Sequence, residues 1–148
     1  MNKPIIILDG HIRSALAAVR SLGQAGYHVI VGSHRRTGLA LYSRYAMSTF
    51  IYPSPVESKD KFFSLIEHIT RSHSEPPLVY AFSDATMAAL TDKPSPFFQV
   101  VVPGREALSM VSDKYRTVEL AHELNIPTPA TYAPETYQEL EKLAHDLP

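Results

Sequence analysis

The turn Asp9-Gly10-His11-Ile12-Arg13-Ser14 joins an apolar run to an amphipathic one, a setting in which free backbone N–H groups can meet an anion. Arg13 and Ser14 would add side-chain donors there; otherwise this is a plain glycine turn with Ser14 as a local cap. Only one glycine of a G-x-G-x-x-G is present, so the turn is a poor dinucleotide fingerprint. Ser33-His34-Arg35-Arg36 makes a second polar cluster. A site preferring NAD would carry an acid there. Arg35 and Arg36 suit a 2′-phosphate instead, or are simply solvated. Ser83-Asp84-Ala85-Thr86 is a third cluster, whose residue types cap a helix and whose alternative role is to face a substrate.

Other chemistries find no support in the spacing. Cysteine is absent, which removes disulfides, thiolate catalysis and Cys-based zinc sites. The seven histidines do not fall at metal-ligand intervals: His122-Glu123 lacks the second His of H-E-x-x-H, and His68 and His73 share no helix face. They are expected at the surface, with no metal site. There is no G-x-S-x-G and no G-x-x-x-x-G-K-[ST], and no catalytic residue is assigned.

The elements that position these clusters follow from periodicity. Ile5–Leu8 is an unbroken aliphatic run, as in a strand buried on both faces. Ile12, Leu16, Val19 and Leu22 then mark a helix, and Tyr27–Val31 a second strand closed by Gly32 and Ser33. Residues 34–47 read as a loop with one short helix, and Thr49–Tyr52 as a third strand. Ser54, Pro55 and Glu57 predict the start of a helix whose stripe is Phe62, Ile66 and Ile69. Leu78–Phe82 is a fourth strand, 84–91 a short helix and Phe98–Val102 a fifth strand. A helix over 113–124 with Ser112 as cap follows, then one opened by Pro134 with Tyr137, Leu140, Leu143 and Leu147 facing inward. The alternation predicts an α/β fold, a Rossmann-like, doubly wound, mainly parallel sheet. Ligands of such sheets sit beyond the carboxyl ends of the strands.

Hydrophobic residues make up 45% of the 148 and charged ones 20%, a globular composition rather than a disordered one. The net charge of −1 gives no pull toward nucleic acid or a membrane. Its distribution is uneven: residues 1–50 hold six basic side chains against Asp9 alone, and residues 119–148 hold six acids against Lys142. The basic half would attract a small anion, or the two halves are solvated faces of one body. The apolar run before Asp9 is too short for a signal peptide or membrane span, so a cytoplasmic location is expected.

The string Ser112-Asp113-Lys114-Tyr115-Arg116-Thr117, continuing through Ala121 to Asn125-Ile126-Pro127-Thr128-Pro129, resembles the passage into the nucleotide-binding part of ATP-grasp ligases. Ser43-Arg44-Tyr45, Tyr52-Pro53 and Asp84 fit the same family, and carbamoyl-phosphate-synthase-like large chains are the nearest in style. The resemblance implies a pre-ATP-grasp domain over 1–111, with 112–148 as linking helix and start of the ATP-grasp domain. It also implies a nucleotide contact at Lys114 and a substrate-facing surface at Gly10, Arg13 and Ser14, with Asp84 beside them. The full-length parent would use ATP and Mg²⁺ to join a carboxylate to an amine through an acyl phosphate. This chain would be its substrate-side portion, silent by itself, binding no cofactor tightly and partnered by the ATP-grasp domain; a homodimer is compatible with it. An NADP- or nucleotide-binding module using Gly10 with Arg35 and Arg36 is the alternative.

Overall fold

The computed structural model describes residues 3–146, which divide into two compact units, residues 1–105 and 106–148. In the first, β1 (Ile5–Ile7), β2 (Val29–Ser33), β3 (Ser48–Ile51), β4 (Leu78–Tyr80) and β5 (Gln99–Val100) form one sheet in the order β3-β2-β1-β4-β5. Every pairing is parallel, with Ile6 opposite Ile30 on one side and Val79 on the other. The helices α1 (Arg13–Gln24), α2 (Lys59–Thr70) and α3 (Asp84–Thr91) alternate with the strands, so this is the expected doubly wound Rossmann-like α/β sheet.

The aliphatic run of β1 serves both faces by simple alternation. Ile6 and Leu8 pack with Phe62, Phe63 and Ile66 of α2 and Leu90 of α3, whereas Ile5 and Ile7 pack with Ala15 and Val19 of α1. All four β1-run side chains are buried, and each contributes about 1.5–3 kcal/mol of hydrophobic stabilisation. Parallel strands covered on both faces need this unbroken apolar sequence.

Local boundaries differ from the sequence expectation where glycine and capping chemistry intervene. Gly26 turns the chain at φ +82° and leaves Tyr27 exposed, so β2 begins at Val29. Gly32 and Ser33 do not close β2 but pair with Phe50 and Ile51 of β3. Gly32 is required there, since a Cβ would lie 2.5 Å from the Phe50 ring and 2.9 Å from Leu8. Ser54, Pro55 and Glu57 do not start α2. They form an isolated turn closed by Ser58 N–H to Ser54 C=O at 2.9 Å, and Ser58 at ψ 68° breaks it before α2 begins at Lys59.

The second unit holds α4 (Arg105–Ser112, starting at the boundary), α5 (Lys114–Glu123) and α6 (Tyr137–Asp146). The sequence reading missed α4. The cap of α5 is Asp113 rather than Ser112: its carboxylate accepts from Tyr115 N at 2.9 Å and Arg116 N at 3.3 Å. Pro134 does not open α6. The Thr136 hydroxyl accepts from Glu139 N at 3.2 Å while the Glu139 carboxylate accepts from Glu135 N at 2.8 Å, a reciprocal cap. Nor do Tyr137 and Leu140 face inward, being 72% and 48% exposed; Leu147 lies outside the described residues. Among the described residues no helix is long and apolar enough to cross a membrane.

Candidate functional site

Strand order reverses between β1 and β4, because the chain moves outward one way through β2 and β3 and the other way through β5. Beyond the carboxyl ends of a sheet this is where a crevice opens. Here a cleft of about 710 Å³ is lined by His11 after β1, His34 and Arg35 after β2, Tyr52 after β3, and Ser83 and Thr86 after β4.

Asp9 fastens the floor of this cleft. It is fully buried, and its backbone sits in the left-handed region at φ 57°, a conformation that costs a non-glycine residue about 1–2 kcal/mol. Its carboxylate repays that cost by accepting four hydrogen bonds. Oδ1 accepts from Tyr52 Oη at 3.0 Å and Thr86 Oγ1 at 2.7 Å. Oδ2 accepts from Phe82 N and Ser83 N, each at 2.9 Å. The Asp9 amide in turn donates to Tyr52 Oη at 2.9 Å. One carboxylate thus ties the ends of β1, β3 and β4 together, each bond of the charge-assisted kind. Burial, and then the negative charge of Asp9, push the Tyr52 phenol above its ordinary pKa, which keeps it a donor.

Beside Asp9 stand two imidazoles. The rings of His11 and His34 meet edge to face with centroids 4.3 Å apart, and one ligand atom of each lies within 4.8 Å of the other and of the Asp9 carboxylate. Both residues are half-buried, against the expectation of surface histidines without metal-ligand grouping. The loops that carry them come from different strands, so sequence spacing held no trace of the pair. His34 Nδ1 is buried and has no hydrogen-bond partner, while its Nε2 accepts from Arg35 Nε at 3.3 Å. Burial, then the neighbouring His34 and Arg35, lower the pKa of His11 against the opposing pull of Asp9. His11 therefore resists protonation.

Gly10 is buried at the site's edge, but its N–H donates to Gly32 C=O and its C=O accepts from Ala40 N, both at 2.9 Å. Its amide is committed to structure rather than open to an anion. Arg13 and Ser14 are exposed on the first turn of α1, and Ser14 caps nothing: the residue before α1 is Ile12, without a side-chain cap. Asp84 is exposed at the start of α3, where Ser83 is the cap, accepting from Thr86 N at 3.3 Å. Arg35 lines the cleft and Arg36 is exposed. Lys114 opens α5 in the second unit and is exposed. That unit has its own hollow of about 380 Å³, lined by Tyr115, Tyr132, Pro134, Glu139 and Lys142, with neither an imidazole nor a buried carboxylate.

Sequence reasoning missed Tyr52 and Thr86 as partners of Asp9. One signal was available for Asp9 itself: a carboxylate directly after an apolar strand must find donors if it is buried.

No protein-family model matches the chain, and no curated protein does. Among solved structures, the chain is similar to one described as the biotin carboxylase domain of a single-chain bacterial carboxylase, at TM-score 0.62 and 15% identity. That likeness covers 97% of this chain and 34% of the other, so the chain spans about a third of that structure's length. At this identity, what the two share is the fold.

Proposed function

We propose that this chain is the substrate-side, pre-ATP-grasp portion of an ATP-dependent carboxylate–amine ligase. The cleft at the strand-order reversal is the observation that carries the reading: it is preformed, and its floor is held rigid by Asp9. The 112–129 string supports the ligase class, and the fold shared with a biotin carboxylase domain is compatible with it. A carboxylate acceptor and an amine enter from the cleft side, where Arg13 and Ser14 stand exposed on the first turn of α1 and Asp84 on that of α3, close in sequence to the lining residues His11 and Ser83; Gly10 shapes the turn beneath them. Lys114 contacts a nucleotide phosphate as a point cation. Phosphoryl transfer requires Mg²⁺ clamps around the γ-phosphate, which we assign to further sequence of a longer parent protein. In that reaction ATP phosphorylates the carboxylate, and the amine displaces phosphate from the acyl phosphate.

The test is ATP-dependent phosphate release by the longest natural protein carrying this chain, over a panel of carboxylates and amines. Release that needs both substrates, with Lys114→Ala raising the KM for ATP at least tenfold, is expected. Absence of phosphate release with every pair overturns the reading.

A second reading rests on Arg35, whose guanidinium lines the cleft just after β2, where an NADP 2′-phosphate would lie. Titration with NADPH decides it: saturable fluorescence change lost in Arg35→Ala supports this module, and no change removes it.

A further inference from the structure

We propose that His11 and His34 form a site for a borderline divalent transition-metal ion, of which Zn²⁺ is the representative, with open coordination positions facing the cleft. Neutral imidazole is a ligand of choice for this class of ion.

Three independent features of the pair support this. First, the rings are brought together by two different loops and held 4.3 Å apart with ligand atoms within 4.8 Å of each other. Zinc–nitrogen bonds of about 2.0–2.1 Å in a tetrahedral shell bring such nitrogens to about 3.4 Å, so binding requires the two rings to close further on each other. Second, His34 Nδ1 is buried without any partner. A buried polar atom without a partner is rare and calls for an explanation; this nitrogen becomes a lone-pair ligand once the ring proton has moved to Nε2. Third, His11 already has the outer support that metal-binding imidazoles use. Its Nδ1 lies 3.5 Å from Ser33 Oγ, whose single proton is donated to Arg35 C=O at 2.9 Å. The imidazole must therefore be the donor in that contact, which leaves Nε2 with its lone pair free.

Asp9 is near but is not a ligand. Its four acceptor positions are filled by Tyr52, Thr86 and the amides of Phe82 and Ser83, so it adds only a nearby negative charge. Arg35 opposes the site. Its Nε–H bonds His34 Nε2, and an ion on Nδ1 moves the ring proton to Nε2, so the exposed Arg35 side chain must release it. The remaining coordination positions open into the 710 Å³ cleft, to water or to an oxygen or nitrogen ligand. The site stands apart from the ligase reading and needs no catalytic activity for its test.

The experiment is zinc titration of the full chain, free of any histidine tag and stripped with chelator, followed by calorimetry and by imidazole NMR signals. One-to-one binding is expected, with the His11 and His34 resonances shifting first. His11→Gln and His34→Gln should each weaken it at least tenfold, while Arg35→Ala should tighten it. The double variant His68→Gln/His73→Gln should bind like the parent. No saturable binding below millimolar zinc, or binding that shifts other histidines first or survives both site variants, overturns the proposal. The NMR readout on the parent chain decides the matter even if a variant fails to fold.

Discussion

The two units of this chain are stabilised by different means. In the sheet unit, β1, β2 and the facing sides of α1 and α2 are buried, and the polar floor of the cleft is saturated with hydrogen bonds. In the helical unit, α5 has no buried residue at all, and Tyr115, Leu124, Ile126, Tyr132 and Tyr137 are exposed. Its α5 and α6 starts are capped, through Asp113 and through the Thr136–Glu139 pair, and among its described residues Leu108 of α4 is the one buried hydrophobic side chain. Caps fix where a helix begins and contribute about 1 kcal/mol apiece, whereas a core sums many buried side chains. Stability should therefore be concentrated in residues 1–105, with the site resting on the stable part.

Substitutions at matched sites would break or sharpen that contrast. Asp9→Ala should have the largest effect, about 4 kcal/mol by urea unfolding, because it strands four donors, beyond the ends of β3 and β4 and in α3, and leaves Ala at a positive φ. A loss below 1 kcal/mol would show that Asp9 does not hold the floor. Ile7→Ala, at a fully buried position, should cost about 3 kcal/mol. Tyr52→Phe keeps the ring against Phe62, whose centroid is 5.1 Å away, but loses the hydroxyl between the Asp9 amide and carboxylate; about 2 kcal/mol is expected. Leu124→Ala, at a residue 62% exposed in the helical unit, should change stability by less than about 0.5 kcal/mol. Equal losses from Ile7→Ala and Leu124→Ala would abolish the distinction between the units.

The smallest effect concerns pH. Since folding depresses the His11 pKa, the unfolded chain takes up the proton first as pH falls. Stability should decline as pH drops below the ordinary imidazole value toward the folded one. NMR titration of His11 against His34, Asp9 and Arg35 variants checks this: Asp9→Asn should lower its midpoint further, while His34→Gln and Arg35→Ala should raise it. A midpoint above the ordinary value would contradict the burial of the ring.

Much of the fold was legible because parallel strands covered on both faces impose a one-dimensional signal. The runs at Ile5–Leu8 and Leu78–Phe82 located β1 and β4, and the rule that ligands gather at carboxyl strand ends pointed to 9–14, 33–36, 82–86 and 103–105, of which the first three supply residues to the cleft and the last supplies none. Boundaries failed where two capping signals competed. Ser54-Pro55-Glu57 carries the letters of a helix start yet forms a turn, whereas Thr136 and Glu139, at the same spacing, make the cap that Pro134 was expected to replace. Local propensity decides between such rivals only after the neighbouring backbone has found its partners.

What the sequence by itself determined was the α/β alternation, the parallel sheet and the strand ends that would carry a site, because these follow from hydrophobic period and short connections. Only the tertiary structure decided that Asp9 would bind Tyr52, 43 residues away, and Thr86, 77 away, and that His11 would meet His34. Such contacts depend on which strands become neighbours, and that order is set by the packing of the whole sheet rather than by any local run of residues.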